Sequence, residues 1–109
     1  MSLSRVGVIG AGIMGSGIAQ VSAASGREVV MLDVSEEVLG RGLDSIAASL
    51  QRFISKGQMT TSQRDAALAR IRTSTAYAQL ASSDLVIEAA TEDLEIKRQI
   101  IHQVDALLP

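Results

Sequence analysis

Residues 10 to 15 read Gly10-Ala11-Gly12-Ile13-Met14-Gly15, and a carboxylate, Asp33, follows at about the twenty-residue interval that a turn, helix and second strand occupy. Glycines in this G-x-G-x-x-G spacing, after an apolar run and before a helix-forming stretch, suit a backbone that must hold a diphosphate. Gly10 turns the chain out of Val6-Gly7-Val8-Ile9, Gly12 has no Cβ and lets the diphosphate approach the main chain, and Gly15 lets the helix pack closely on the strand. The attraction comes from the free N–H groups of the first helical turn and from the positive end of the helix dipole, without a basic side chain. Asp33 closes the next apolar run, where it can accept hydrogen bonds from ribose hydroxyls and repel a 2′-phosphate; Val34, not an arginine, follows it. Gly10, Ala11, Gly12, Ile13, Met14, Gly15 and Asp33 are therefore candidate contacts for a dinucleotide, NAD rather than NADP.

The elements that must position these residues follow from periodicity. Residues 5–9 and 28–32 read as strands, and the helix between them carries Ile13, Met14, Ile18, Ala19 and Val21 as the stripe toward the sheet, ending near Ser25-Gly26. Further strands are expected at 71–75 and 84–89. The fold class is α/β, a Rossmann-type doubly wound parallel sheet. A complete sheet of this kind has about six strands, so the chain reads as the amino-terminal portion of such a domain, stopping before the later strands.

Nearly forty residues separate Asp33 from the third strand, more than a one-helix crossover uses, and the pattern predicts an inserted helical hairpin over about 36–70 with its break at Lys56-Gly57. Its first helix starts after Ser35, with Glu36 and Glu37 in the first turn and Leu39, Leu43, Ile46, Leu50, Phe53 and Ile54 as the apolar stripe. The second starts with a capping-box pattern, Thr60 to Gln63, and presents Ala66, Ala67, Leu68 and Ile71. Ser45, Ser49, Arg52 and Lys56 fall together on a side of the first helix away from its stripe, with Arg41 extending the positive character. By spacing alone this is a solvated helix face.

Residues 84–90 read as a buried strand beside the first, leading through Thr91-Glu92-Asp93 into a helix, which would put Glu92 and Lys97 near the nicotinamide half of a dinucleotide. Position alone leaves two readings open, dipole compensation at a helix start or ligand contact. His102, the single histidine, falls in the middle of that last helix, far from the strand ends, where a surface or packing role is expected. No catalytic set and no metal-ligand cluster can be assembled, so no catalytic residue is assigned.

With 109 residues, 47% of them apolar, a formal charge of −2 and no cysteine, the chain is one domain at most, without disulfides or thiol chemistry. The near-neutral balance offers no reason to expect nucleic acid or a membrane surface as partner. The lack of a long apolar run and of a signal-peptide pattern makes the cytoplasm the expected compartment.

The chain resembles the 3-hydroxyacyl-CoA dehydrogenases, a group that includes 3-hydroxybutyryl-CoA dehydrogenase. The resemblance covers nearly all of it, resting on Val6 through Gln20, on Asp33, on the inserted hairpin, and on Asp84-Leu85-Val86-Ile87-Glu88-Ala89 running into Glu92-Asp93-Leu94-Glu95-Ile96-Lys97. It implies that Glu92 and Lys97 contact NAD and that Ser49 and Lys56 contact coenzyme A. It implies further that the catalytic histidine and its partners lie after Pro109, as does a helical carboxyl-terminal domain that forms a homodimer. The whole protein would then transfer a hydride between C3 of an acyl-CoA substrate and nicotinamide, and this part alone would be inactive. Alternatives are another NAD-linked hydroxyacid or sugar-nucleotide dehydrogenase, or a nucleotide-sensing module without chemistry.

Overall fold

A computed structural model describes residues 4–89. In chain order they form β1 (Arg5–Ile9), α1 (Ile13–Ala24), β2 (Glu28–Leu32), α2 (Glu36–Ser55), α3 (Thr61–Ala69), β3 (Ile71–Ser74), a single 3₁₀ turn (Tyr77–Leu80) and β4 (Leu85–Glu88). The four strands make one parallel sheet in the order β3-β2-β1-β4. Val8 sits at the centre of the register, opposite Met31 on one side and Ile87 on the other.

Alternation along the strands sends Val6, Val8, Val29, Met31 and Ile87 into one core, which α1, α2 and α3 close with Ile18, Ala19, Leu39, Ile46, Leu50 and Ala67. The described helices share this core, the first winding of a doubly wound sheet; the helix expected after β4 lies outside the described residues. On the opposite face Gly7 leaves no room for a side chain, because a Cβ there would come within 2.7 Å of Leu80 and 2.9 Å of Ser83.

The helix ends follow local chemistry. Ser35 accepts a hydrogen bond from the Val38 N–H and caps α2. At its far end Gly57 takes φ +71°, its N–H donating to Ile54 O and that of Gln58 to Phe53 O, the paired bonds of a Schellman stop. Gly26 and Arg27 end α1 with the same two bonds, to Ala23 and Ser22. The capping box of α3 forms in both directions between Thr60 and Gln63.

Four sequence expectations are corrected. In α1, Ile13 is 95% and Val21 39% exposed, and the face on the sheet consists of Gly15, Ser16, Ile18, Ala19, Ser22 and Ala23. Ile18 apart, that face is made of small side chains, which lets the helix sit close to the strand. In the hairpin, Phe53 and Ala66 are exposed and Ile71 opens β3 instead of closing α3. The expected strands 71–75 and 84–89 shorten to Ile71–Ser74 and Leu85–Glu88, with Asp84 turning its carboxylate to the N–H groups of Ser4 and Arg5. Finally, β4 is half exposed, since it pairs only with β1 among the described strands and Val86 faces outward at 45% exposure.

Candidate functional site

The site is built around one peptide unit. The chain leaves β1 at Ile9, and Gly10 adopts φ +108°, a conformation that L side chains rarely take, while its N–H donates to Leu32 O at 2.6 Å. The next residue, Ala11, is held from several directions. Its N–H donates to Asp33 Oδ2 at 3.0 Å, and its carbonyl accepts from the buried Ser16 hydroxyl at 2.9 Å. Gly42 of α2 lies against the same carbonyl so closely that a Cβ there would sit 2.8 Å from it and 2.8 Å from Ser16 Oγ. The ends of β1 and β2 and the bodies of α1 and α2 thus meet at Ala11.

Gly12 and Gly15 then divide the labour in space. A Cβ on Gly15 would overlap the Gly10 carbonyl, so α1 can approach the loop only with glycine there. A Cβ on Gly12 would meet no atom within 4 Å, so the loop backbone is open to an approaching group on that side. Gly12 is also the N-cap of α1, with no side-chain cap and no acid in the first turn. The N–H groups of Ile13 and Met14 have no intrahelical acceptor and are available to an anion.

Asp33 stands at the end of β2, partly buried. Its Oδ1 accepts from the Ser35 N–H at 3.1 Å while Oδ2 holds Ala11. A carboxylate offers about four lone-pair positions, so acceptor capacity remains for a ribose. Val34 beside it is 82% exposed and offers no cation.

Between the loop and α2 lies a cleft of about 220 Å³, with Ala11, Gly12 and Ile13 on one side and Val38, Arg41 and Ser45 on the other. From there the polar side of α2 continues through Ser49 to Arg52 and Lys56. Ser49 corrects the sequence expectation, because it does not point away from the packed face: Gln20 of α1 donates to its hydroxyl at 2.9 Å, at the contact of the two helices. Arg52 and Lys56 are exposed, Lys56 as the residue that closes the helix. Glu92, Lys97 and His102 lie outside the described residues.

Sequence reasoning missed Ser16, Gln20, Arg41 and Gly42 as parts of the site. One signal was present: glycine in a helix interior costs about 1 kcal/mol relative to alanine, so Gly40 and Gly42 in the body of α2 ask for a packing reason. Only Gly42 has one, since Gly40 faces open space. Among the described residues no three His, Cys, Asp or Glu side chains could hold a metal ion, and no helix is long and apolar enough to cross a membrane.

A parallel sheet with a glycine loop at the crossover and an acid at the end of its second strand defines a Rossmann-type dinucleotide-binding domain. Residues 5–109 match the family described as 3-hydroxyacyl-CoA dehydrogenase, NAD binding domain, and the chain belongs to that family. A 3-hydroxybutyryl-CoA dehydrogenase of Bradyrhizobium diazoefficiens is 45% identical over 106 residues, 97% of this chain and 36% of the relative. A 3-hydroxyadipyl-CoA dehydrogenase of Escherichia coli is 39% identical over 109 residues, 100% of this chain and 23% of the relative. Among solved structures, an (S)-3-hydroxybutyryl-CoA dehydrogenase of Ralstonia eutropha is 44% identical and superposes with a TM-score of 0.81, covering 99% of this chain and 38% of its own. The chain therefore spans little more than a third of these relatives at most. NAD is the cofactor of the family, and the open Gly12 backbone and the uncapped first turn of α1 fit its diphosphate.

Proposed function

We propose that this domain serves an NAD-dependent 3-hydroxyacyl-CoA dehydrogenase, interconverting a 3-hydroxyacyl-CoA and the 3-oxoacyl-CoA. The observation that carries the reading is the fastening of the glycine loop to Asp33: one carboxylate both shapes the diphosphate-binding backbone and keeps acceptor positions for a ribose. The names of the relatives support the acyl-CoA substrate.

In this reading Gly10, Ala11, Gly12, Ile13, Met14 and Gly15 bind the diphosphate through main-chain N–H groups, and Asp33 binds the adenosine ribose. Glu92 and Lys97 contact the nicotinamide side, and Ser49 and Lys56 hold the nucleotide end of coenzyme A. When bound, NAD supplies the hydride acceptor. The residues described here bind and orient, and proton transfer belongs to groups outside residues 1–109. A homodimer in the cytoplasm, built through a helical carboxyl-terminal domain, completes the proposal.

The test is NADH formation from (S)-3-hydroxybutyryl-CoA by the full-length protein, with 3-hydroxyadipyl-CoA and a 2-hydroxy acid as competing substrates. Turnover of the thioesters and none of the free acid supports the reading. Turnover of the free acid alone, or NAD binding without turnover of any of them, overturns it.

A further inference from the structure

The sequence assigns no basic side chain to the diphosphate, yet the structure places one beside the glycine loop. Among the described residues, Arg41 is the only charged one lining the cleft that Gly12 and Ile13 border. It is exposed and makes no hydrogen bond or ion pair among the described residues. Across the cleft stands the first turn of a twelve-residue helix with no acid in it and no side-chain cap. A guanidinium and a helix N-terminus border one small cleft, and among the described residues no acidic side chain lines it. That arrangement is relieved by an anion lying between them.

The position of Arg41 follows from its neighbour. Gly42 removes the side chain that would hold α2 away, and the helix backbone settles against the Ala11 carbonyl, Ser16 Oγ and Met31 Cε, each within 3.2 Å of where a Cβ would be. Glycine is a poor helix former, and its place in mid-helix is explained by this contact. With α2 held there, the preceding residue stands at the mouth of the glycine loop. A planar guanidinium can pair with two phosphate oxygens at once, which a lysine cannot do.

We propose that Arg41 is a diphosphate contact of the bound dinucleotide, delivered to the glycine loop by the close packing of Gly42, which acts as a positioning residue. The proposal rests on the reading of the loop as the NAD site. Coenzyme A also carries a diphosphate, and the assignment commits to the dinucleotide because the cleft is bordered by Gly12 and Ile13.

The experiment is calorimetric titration of the full-length protein with NADH, ADP-ribose and coenzyme A, at low and high salt. Arg41→Gln is expected to weaken NADH and ADP-ribose alike, by about tenfold at low salt, with a smaller loss at high salt as screening removes part of the interaction in the parent. Arg41→Lys should recover part of the affinity, since charge is kept and the fork is lost. Both variants, at an exposed position, should melt with the parent. Gly42→Ala should lower dinucleotide affinity, whereas Gly40→Ala, facing open space on the same helix, should leave it unchanged. Loss of NADH and ADP-ribose affinity supports the assignment whether or not coenzyme A is affected. Unchanged NADH and ADP-ribose affinity in Arg41→Gln overturns it, and a loss confined to coenzyme A reassigns Arg41 to the acyl carrier. If the parent itself binds no NADH, the reading of the loop fails and the assignment with it.

Discussion

In the proposed site the glycine loop and the inserted helix α2 would serve neighbouring parts of the ligands by opposite means. In the loop the groups offered to a ligand are main-chain N–H groups, and the side chains are reduced to hydrogen where bulk would interfere. Ala11 is fastened by Asp33 and Ser16 and abutted by Gly42, contacts made entirely within the protein. On α2 the offered groups are side chains on an amphipathic helix, with Arg41, Arg52 and Lys56 exposed and Ser49 held by Gln20. A backbone site demands particular residues at fixed spacing and leaves a short, legible pattern. A side-chain site on a helix demands only polar residues on one side, which any solvated helix also provides.

The contrast can be broken most severely at Gly15. Gly15→Ala forces a methyl onto the Gly10 carbonyl, so overpacking is expected to cost about 3 kcal/mol of stability and to abolish NAD binding. Gly12→Ala, with open space around its Cβ, should unfold at the parental urea concentration while losing NAD affinity. Parental stability and affinity in Gly15→Ala would show that the loop has slack the geometry denies it.

Asp33→Asn comes next. It removes a charge-assisted acceptor from the loop and from the proposed ribose contact, an expected cost on the order of 1.5–3 kcal/mol in NAD binding, and titration calorimetry should also show a narrower gap between NAD and NADP. Equal affinities in parent and variant for both cofactors would remove Asp33 from the site.

Thr60→Ala sharpens the comparison from the hairpin side. Loss of the reciprocal capping bonds should cost about 1 kcal/mol in denaturant unfolding, while NAD affinity stays put, because α3 borders no part of the loop cleft. A fall in NAD affinity would show that the hairpin and loop are one mechanical unit.

The smallest effect is expected at Lys56. If this exposed cation holds a coenzyme A phosphate as proposed, Lys56→Ala should raise KM for acyl-CoA by about two- to fivefold with kcat nearly constant. Steady-state kinetics with an acyl-pantetheine, which lacks the nucleotide phosphates, should show no change. An equal penalty on both thioesters would assign Lys56 to the end of its helix rather than to coenzyme A.

By itself the sequence determined the parallel sheet, the turn at Gly10, the acid at the end of β2, the capped starts of α2 and α3 and their Gly57 break. These depend on local chemistry: φ sign, missing Cβ atoms, hydroxyl caps and the two-residue alternation of strands. Tertiary structure alone decided which face of α1 is buried, because the strand beneath it selects for small side chains and leaves Ile13 and Val21 to solvent. It also decided that Ser49 meets Gln20, that Gly42 rather than Gly40 touches the loop, and that Arg41 borders the same cleft as Gly12. Those pairings join residues about thirty positions apart, and no spacing within one helix encodes the distance at which another element will pack against it.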